Sequence, residues 1–171
     1  MSIPRRLLLL TLAPALATSH ALAQGTHGHA AAAPTAANPG RATAPRDAYV
    51  YIGWPQDGQV INGTRFKVWF GTRNFGVAPA GVTTPNTGHH HLLVDTPMPS
   101  LDQPIPNDRN HLHFGLGQTE TILELPPGTH TLQLVMGDAD HVPHDPPVAS
   151  RRITIQVRTS RAPAAPPAPP Q

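Results

Sequence analysis

Short hydrophobic runs with a period of two, broken by proline and glycine, constrain the fold of this chain most. Phe66, Val68 and Phe70 share one face of such a run, and Ile153 and Ile155 begin another. An amphipathic helix repeats every 3.6 residues, whereas successive side chains of a strand point to opposite faces. The pattern therefore predicts strands in seven places: residues 49–52, 66–70, 89–95, 111–114, 119–125, 130–136 and 150–157.

The segments between these strands are rich in turn residues. Asn62-Gly63 and Pro126-Pro127-Gly128 are tight-turn signals, and residues 71–88 and 97–110 form longer loops broken by proline. Short strands joined in this way are typical of two packed antiparallel sheets. We predict an all-β fold, an antiparallel immunoglobulin-like β-sandwich of about seven strands in a single domain. A jelly roll or a small barrel is the alternative.

Composition divides the chain into four parts. Arg5 and Arg6 precede a short apolar run and the small residues Ala21-Leu22-Ala23, which is the pattern of a cleaved signal peptide. Two segments rich in alanine and proline lack the large apolar residues of a core, so we expect them to be disordered. The parts are a signal peptide (1–23), an Ala/Pro/His leader (24–46), a His-rich β-sandwich domain (47–159) and a Pro/Ala tail (160–171).

The signal peptide predicts a periplasmic or secreted protein. Its apolar run is too short to span a bilayer, and the chain has no cysteine to carry a lipid anchor, so we expect neither a membrane span nor an anchor. Removing Arg5 and Arg6 leaves 12 − 2 = 10 basic side chains against 10 acidic ones. A mature chain without net charge or a dense basic stripe is not expected to bind nucleic acid.

Eight histidines fall within 56 residues, in a stretch that contains neither cysteine nor lysine. Imidazole is therefore the only side chain there that is naturally a base near neutral pH and a borderline-soft metal ligand. Zn²⁺ and Cu²⁺ are the ions that such ligands suit. The histidines of this stretch are His89, His90, His91, His111, His113, His130, His141 and His144.

Strand alternation places some of these histidines on one face. His89 and His91 share a face of one strand, as His111 and His113 do on the next. If the two strands are neighbours, both pairs converge on one side of a sheet. His141 and His144 lie in a loop that closes over the same site. We predict a Cu²⁺ or Zn²⁺ site with six candidate ligands: His89, His91, His111, His113, His141 and His144.

A structural role is the alternative for each histidine, because a buried imidazole can bond to loop carbonyls without any ligand. We favour that role for His130, which continues the core face of its strand, and for His90, which points away from His89. Asp95, Asp138 or Asp140 are candidates to orient the imidazoles of a metal site through hydrogen bonds.

Sequence motifs of common enzymes are missing. Ser150 lacks the Gly-x-Ser-x-Gly context of a serine hydrolase, and no stretch resembles a His-Glu-x-x-His helix. The spacing of Asp138, Asp140 and Asp145 does not fit an EF-hand. We therefore do not expect an enzyme.

Several blocks resemble a secreted bacterial family known as domain of unknown function 4399. The resemblance covers the whole predicted domain and implies its boundaries and its export, but it implies no activity. The blocks are WPQDG (54–58), AGV (80–82), TGHHHLLVD (87–95), HLHFGLGQTE (111–120), LPPGTHTLQL (125–134), GD (137–138) and HVPH (141–144).

Three functions follow from these observations. The first is an exported metal-binding β-sandwich that stores, senses or passes on Cu²⁺ or Zn²⁺. The second is a metal-free accessory module whose polar surface docks a protein or an envelope polymer, with structural histidines. The third is a His-metal hydrolase or oxidase, which requires an open coordination position inside a pocket.

Overall fold

A computed structural model describes residues 40–160, which form strands and no helix. Within that range no helix is long and apolar enough to cross a membrane. The predicted signal peptide, most of the leader and nearly all of the tail lie outside the described residues. The strands are β1 (Tyr49–Trp54), β2 (Val60–Asn62), β3 (Arg65–Arg73), β4 (Gly76–Val77), β5 (Thr87–Val94), β6 (His111–Phe114), β7 (Glu120–Glu124), β8 (Gly128–Gly137) and β9 (Ile153–Arg158).

The strands form two sheets, as the sequence predicted. One sheet has the order β1-β3-β7, and the other has the order β2-β9-β8-β5-β4, with β6 also paired to β5. The strands of four or more residues pair antiparallel with one another. The short β2 pairs parallel with β9, and the short β4 pairs parallel with β5. The seven longer strands divide three to four between the sheets. This division confirms the immunoglobulin-like sandwich and excludes a closed barrel.

Alternating side chains from both sheets meet in the core. Phe66, Val68 and Phe70 of β3 are buried, whereas the residues between them are exposed. From the other sheet, Leu132 and Leu134 of β8 reach the same cluster. Burying an aliphatic or aromatic side chain of this size stabilises a fold by about 1.5–3 kcal/mol. The period of two in the sequence is therefore the pattern of this core.

Strand β5 departs from the alternation, because each residue from Gly88 to Val94 is buried. Leu92 and Val94 face the core between the sheets. On the outer face, Leu93 packs against Ile105 from the loop after β5 and Val135 from β8. Loops thus cover the outer face of this sheet, and the side chains beneath them are shielded from water.

The domain begins earlier than the sequence predicted. Residues 40–46, which we assigned to the leader, contact the loop between β8 and β9. Thr43 forms a bridge with Asp145, and the Ala44 amide donates to the Asp145 carbonyl at 2.9 Å. The Arg41 side chain donates to the carbonyls of Pro143 and His144. Backbone pairing and a long arginine hold this segment, and neither needs the large apolar residues on which the prediction relied.

Candidate metal centre

Neighbouring strands bring three histidines onto the outer face of the larger sheet. In the antiparallel register of β5 and β6, His91 lies opposite His113. His89 is two residues before His91 on β5 and therefore shares its face. The two strands are neighbours, which was the condition for the predicted convergence, but of the two histidine pairs only His89, His91 and His113 come together.

The loop after β8 supplies a fourth imidazole. The ring centroid of His141 lies 4.9 Å from that of His89, 4.8 Å from that of His113 and 5.9 Å from that of His91. The other three rings are mutually 4.9–5.0 Å apart. We call these four residues the imidazole cluster. Ligand atoms of His89, His113 and His141 all lie within 4.8 Å of one another.

Hydrogen bonds fix the loop that carries His141. The Asp138 carboxylate accepts the amides of Asp140 and Val142 at 2.9 Å, and the His141 amide donates to the Asp138 carbonyl at 3.0 Å. The Ile105 amide donates to the His141 carbonyl at 2.9 Å, which joins the two covering loops. His141 itself has a left-handed backbone, with φ of 67°. Asp138 therefore orients this loop backbone, not an imidazole as we had suggested.

Within residues 40–160, several buried ring nitrogens of the cluster have no hydrogen-bond partner: Nδ1 of His89, Nδ1 of His91 and Nε2 of His113. The Nε2 atoms of His89 and His91 are 3.0 Å apart and share one hydrogen bond. A neutral imidazole has one N–H and one lone pair. That bond consequently leaves one of the two Nδ1 atoms with an unpartnered proton and the other with an unpartnered lone pair. Each such buried group costs about 1–3 kcal/mol.

Burial keeps three imidazoles of the cluster, those of His89, His91 and His113, neutral near pH 7. Burial, reinforced by the neighbouring imidazoles, lowers the pKa of His89 to about 4 and that of His91 to about 2. Burial and the proximity of His141 also lower the pKa of His113. His89 and His91 are 0% exposed, so water cannot solvate their charged forms. Near neutral pH these rings therefore keep the lone pairs that a metal ion requires.

Two glycines leave space for the rings. A Cβ at Gly115 would lie 2.4 Å from Cε1 of His113, and one at Gly137 would lie 2.9 Å from Nε2 of His91. Any other residue at these positions would have to displace an imidazole. The role of Gly137 could not be read from the sequence, because it depends on the register of β8 with β5, in which Gly137 lies opposite His89.

Two of the six predicted ligands, His111 and His144, lie outside the cluster. His111 is opposite Leu93, and its Nδ1 lies 2.9 Å from a carboxylate oxygen of Asp108. Both ring nitrogens of His144 face backbone carbonyls, Nε2 that of Thr87 at 3.1 Å and Nδ1 that of Met136 at 3.4 Å. These two histidines therefore hold the loops next to the cluster.

His90 and His130 have contacts of the structural kind that we favoured. His90 faces the core, where its ring packs on Phe70 and its Nδ1 lies 3.1 Å from the Gln118 carbonyl oxygen. His130 donates from Nδ1 to Asp95 at 2.7 Å and from Nε2 to the Pro126 carbonyl at 2.9 Å. Both partners of His130 are acceptors and one of them is a carboxylate, so this environment favours the doubly protonated, charged form of its imidazole.

Replacing Asp95 with asparagine should destabilise the domain by about 1 kcal/mol, and more in mild acid than in base. Burial alone would lower the pKa of His130, but the hydrogen bond from Asp95, the Pro126 carbonyl and the Asp95 charge together raise it. Because the pKa of His130 is higher in the folded state than in the unfolded state, its protonation stabilises the fold. This stabilisation is fully present below the unfolded pKa of about 6.5 and is lost as pH rises through the folded pKa.

Urea unfolding of Asp95→Asn and the wild type at about pH 6 and about pH 9 measures this difference. We expect the variant to differ from the wild type more at the lower pH. A difference that is the same at both values would contradict a charged His130.

Comparisons with known proteins identify a family and a similar solved structure. A family model described as domain of unknown function (DUF4399) matches residues 68–158, which include the whole imidazole cluster. No curated protein matches the chain. Among solved structures, the fibronectin(III)-like modules of Clostridium thermocellum CbhA align with a TM-score of 0.39 at 16% identity, over 66% of this chain and 99% of that one.

Proposed function

Because the chain belongs to the DUF4399 family, whose description names no activity, we propose a function from the site itself: binding of one Cu²⁺ or Zn²⁺ ion at the imidazole cluster. We propose further that the protein is exported to the periplasm or secreted, and that it stores, senses or passes on the metal without acting as an enzyme. These proposals agree with the function predicted from the histidine pattern.

The buried, unpartnered ring nitrogens carry the metal proposal. Buried polar atoms in folded proteins almost always have a hydrogen-bond partner, and an exception requires an explanation such as an ion. Here unpartnered nitrogens of His89, His91 and His113 occur on adjacent side chains. A metal ion that accepts lone pairs from this group would remove part of the cost of burying it.

The chemistry of the cluster selects the class of ion. The four rings are nitrogen donors, and the described part of the chain contains no thiolate. Hard cations such as Ca²⁺ and Mg²⁺ prefer oxygen ligands, whereas imidazole suits Zn²⁺ and Cu²⁺. Because burial lowers the pKa of His89, His91 and His113, the ion does not have to displace protons from those three imidazoles near pH 7.

The geometry is close to that of a bound site. Two nitrogens at about 2.0–2.1 Å from one ion lie about 3–3.5 Å apart. The ligand atoms of His89, His113 and His141 lie within 4.8 Å of one another, so movements of about 1 Å bring them into range. Small rotations of the rings, or a shift of the loop that carries His141, provide such movements.

Metal analysis of the full chain tests the proposal. The protein is purified without a histidine tag or chelator, loaded with Zn²⁺ or Cu²⁺, dialysed and analysed by plasma mass spectrometry. We expect one ion per chain. His111→Ala is the matched control and should leave this stoichiometry unchanged, since the His111 ring is directed to Asp108. A wild-type chain without bound metal would overturn the proposal.

A metal-free docking module is the second candidate, and an exposed aromatic face favours it. Tyr49, Tyr51 and Trp69 are 40–43% exposed on the outer face of the β1-β3-β7 sheet, on the opposite side of the sandwich from the imidazole cluster. Exposed aromatic groups of this kind are typical of interaction surfaces. Pull-down of envelope proteins and polymers with the wild type, but not with Trp69→Ala, would support this candidate.

A further inference from the structure

We infer that three imidazoles, those of His89, His113 and His141, hold the metal, that His91 positions His89, and that a remaining coordination position takes an exchangeable small ligand such as water, hydroxide or a small anion. This inference rests on the proposed metal binding and adds the division of roles within the cluster. It also assigns the site a second ligand besides the metal.

His89 and His91 have different roles because they share one hydrogen bond. Their Nε2 atoms lie 3.0 Å apart, so one ring donates to the other. A histidine that binds a metal through one nitrogen almost always donates its other N–H to an acceptor. If His89 donates from Nε2 to His91, its Nδ1 lone pair is free. Nδ1 of His89 is indeed buried and has no hydrogen-bond partner in the described range.

His91 is enclosed and has no room for an ion at Nε2. That atom faces His89 on one side and the β8 backbone on the other, where a Cβ at Gly137 would lie only 2.9 Å away. The group of ligand atoms that lie within 4.8 Å of one another comprises His89, His113 and His141. His91 therefore accepts a hydrogen bond from Nε2 of His89 and fixes the direction in which His89 presents its Nδ1.

Three imidazoles leave a Cu²⁺ or Zn²⁺ ion with at least one position to fill, since either ion takes four or more ligands. Neutral imidazoles also leave its two positive charges uncompensated. In the nearby Asp138 carboxylate, Oδ1 accepts the amides of Asp140 and Val142, and Oδ2 lies 3.5 Å from the amide nitrogen of Ala42. An exchangeable ligand fills the remaining coordination position, and if it is an anion it also compensates part of the positive charge.

The open position faces the more accessible side of the cluster. His113 and His141 are partly exposed, whereas His89 and His91 are 0% exposed. A small ligand can therefore approach along the side formed by β6 and the loop after β8. The Ile105–His141 hydrogen bond joins the two covering loops beside the cluster, which favours a ligand of a few atoms.

Cu²⁺ spectroscopy on the wild-type chain tests this inference. Pulsed electron paramagnetic resonance counts the coordinated imidazoles, and an azide titration reports whether a position is open. We expect three imidazoles and a change of the spectrum on adding azide. Four imidazoles with no response to azide would overturn the inference while leaving the proposed metal binding intact. A chain that binds no Cu²⁺ would overturn both.

Two variants separate a ligand from a positioning residue. His91→Gln should keep three coordinated imidazoles while the Cu²⁺ dissociation constant rises about 10–100-fold, the usual effect of losing a partner of a ligand. His113→Gln should lower the imidazole count by one. A reduced count in His91→Gln would make His91 a ligand and contradict the inference. If His91→Gln does not fold, the wild-type imidazole count and azide response decide the matter.

Discussion

Alanine at both His89 and His113 should abolish the stabilisation that Cu²⁺ or Zn²⁺ gives the wild-type domain. An ion at about 100 times its dissociation constant adds about 2.7 kcal/mol to the free energy of unfolding, because it binds the folded state alone. Removing two ligand atoms from the group that lies within 4.8 Å leaves too few donors for a specific site. Denaturant unfolding with and without metal measures the increment.

The metal-free variant is expected to remain folded. His89 and His113 lie on the outer face of the sheet, apart from the core that holds the two sheets together. The matched control, His111→Ala, should keep the full metal increment. Structural histidines would give a different result: the double variant would lose stability to the same extent with or without metal, and added metal would not stabilise the wild type.

The strands were predictable wherever a run is long enough to alternate. Phe66 to Phe70 alternates between core and solvent, and this pattern identifies β3 from sequence alone. Strands β2 and β4 have three and two residues, too few for any period to be recognised, and both were missed. Their pairing depends on tertiary contacts with β9 and β5.

The candidate site was predictable in part. The shared face of His89 and His91 follows from strand geometry, whereas the pairing of His91 with His113 depends on β5 and β6 being neighbours and on their register. His141 was a weaker prediction, because the conformation of a loop depends on hydrogen bonds such as those of Asp138. His111 has the same spacing as a ligand, but Asp108 holds its ring. Sequence spacing identifies the face that a side chain occupies, whereas its nearest polar partner determines where the ring points.

The cluster also differs from a structural histidine network in how its nitrogens are used. His130 has an acceptor at each ring nitrogen and His144 faces a carbonyl at each, as expected of imidazoles that hold loops in place. The cluster instead places rings beside one another and leaves nitrogens of His89 and His113 unpartnered. His90, which lies outside the cluster, also has one unpartnered nitrogen, Nε2, but the cluster gathers three such nitrogens on neighbouring rings. A bound cation would account for this grouping, because one ion accepts lone pairs from several imidazoles at once.

Acid should unfold the metal-free domain between about pH 6 and about pH 4, a larger effect than that of any single substitution above. Burial is the main cause that lowers the pKa of His89 and of His90 to about 4 and the pKa of His91 to about 2. Unfolded histidines have a pKa of about 6.5. Below that value the unfolded chain binds protons that the folded chain does not, so stability is present above about pH 6.5 and falls with pH until the folded groups titrate.

Each of these three histidines contributes a loss on the order of 1 kcal/mol per pH unit, against a total stability of about 5–15 kcal/mol for a typical domain. Circular dichroism of the metal-free protein during urea unfolding at a series of pH values measures the slope. His90→Leu is the matched variant: it removes one titrating group that faces the core and leaves the cluster in place, so the slope should fall by the contribution of one histidine, on the order of 1 kcal/mol per pH unit. His130 acts in the opposite direction, because its raised pKa makes the folded state bind the proton more tightly.

A free energy of unfolding that stays constant from about pH 7 to about pH 5 would show that the imidazoles of His89, His90 and His91 are not held neutral. The reason for expecting metal affinity at neutral pH would then be lost.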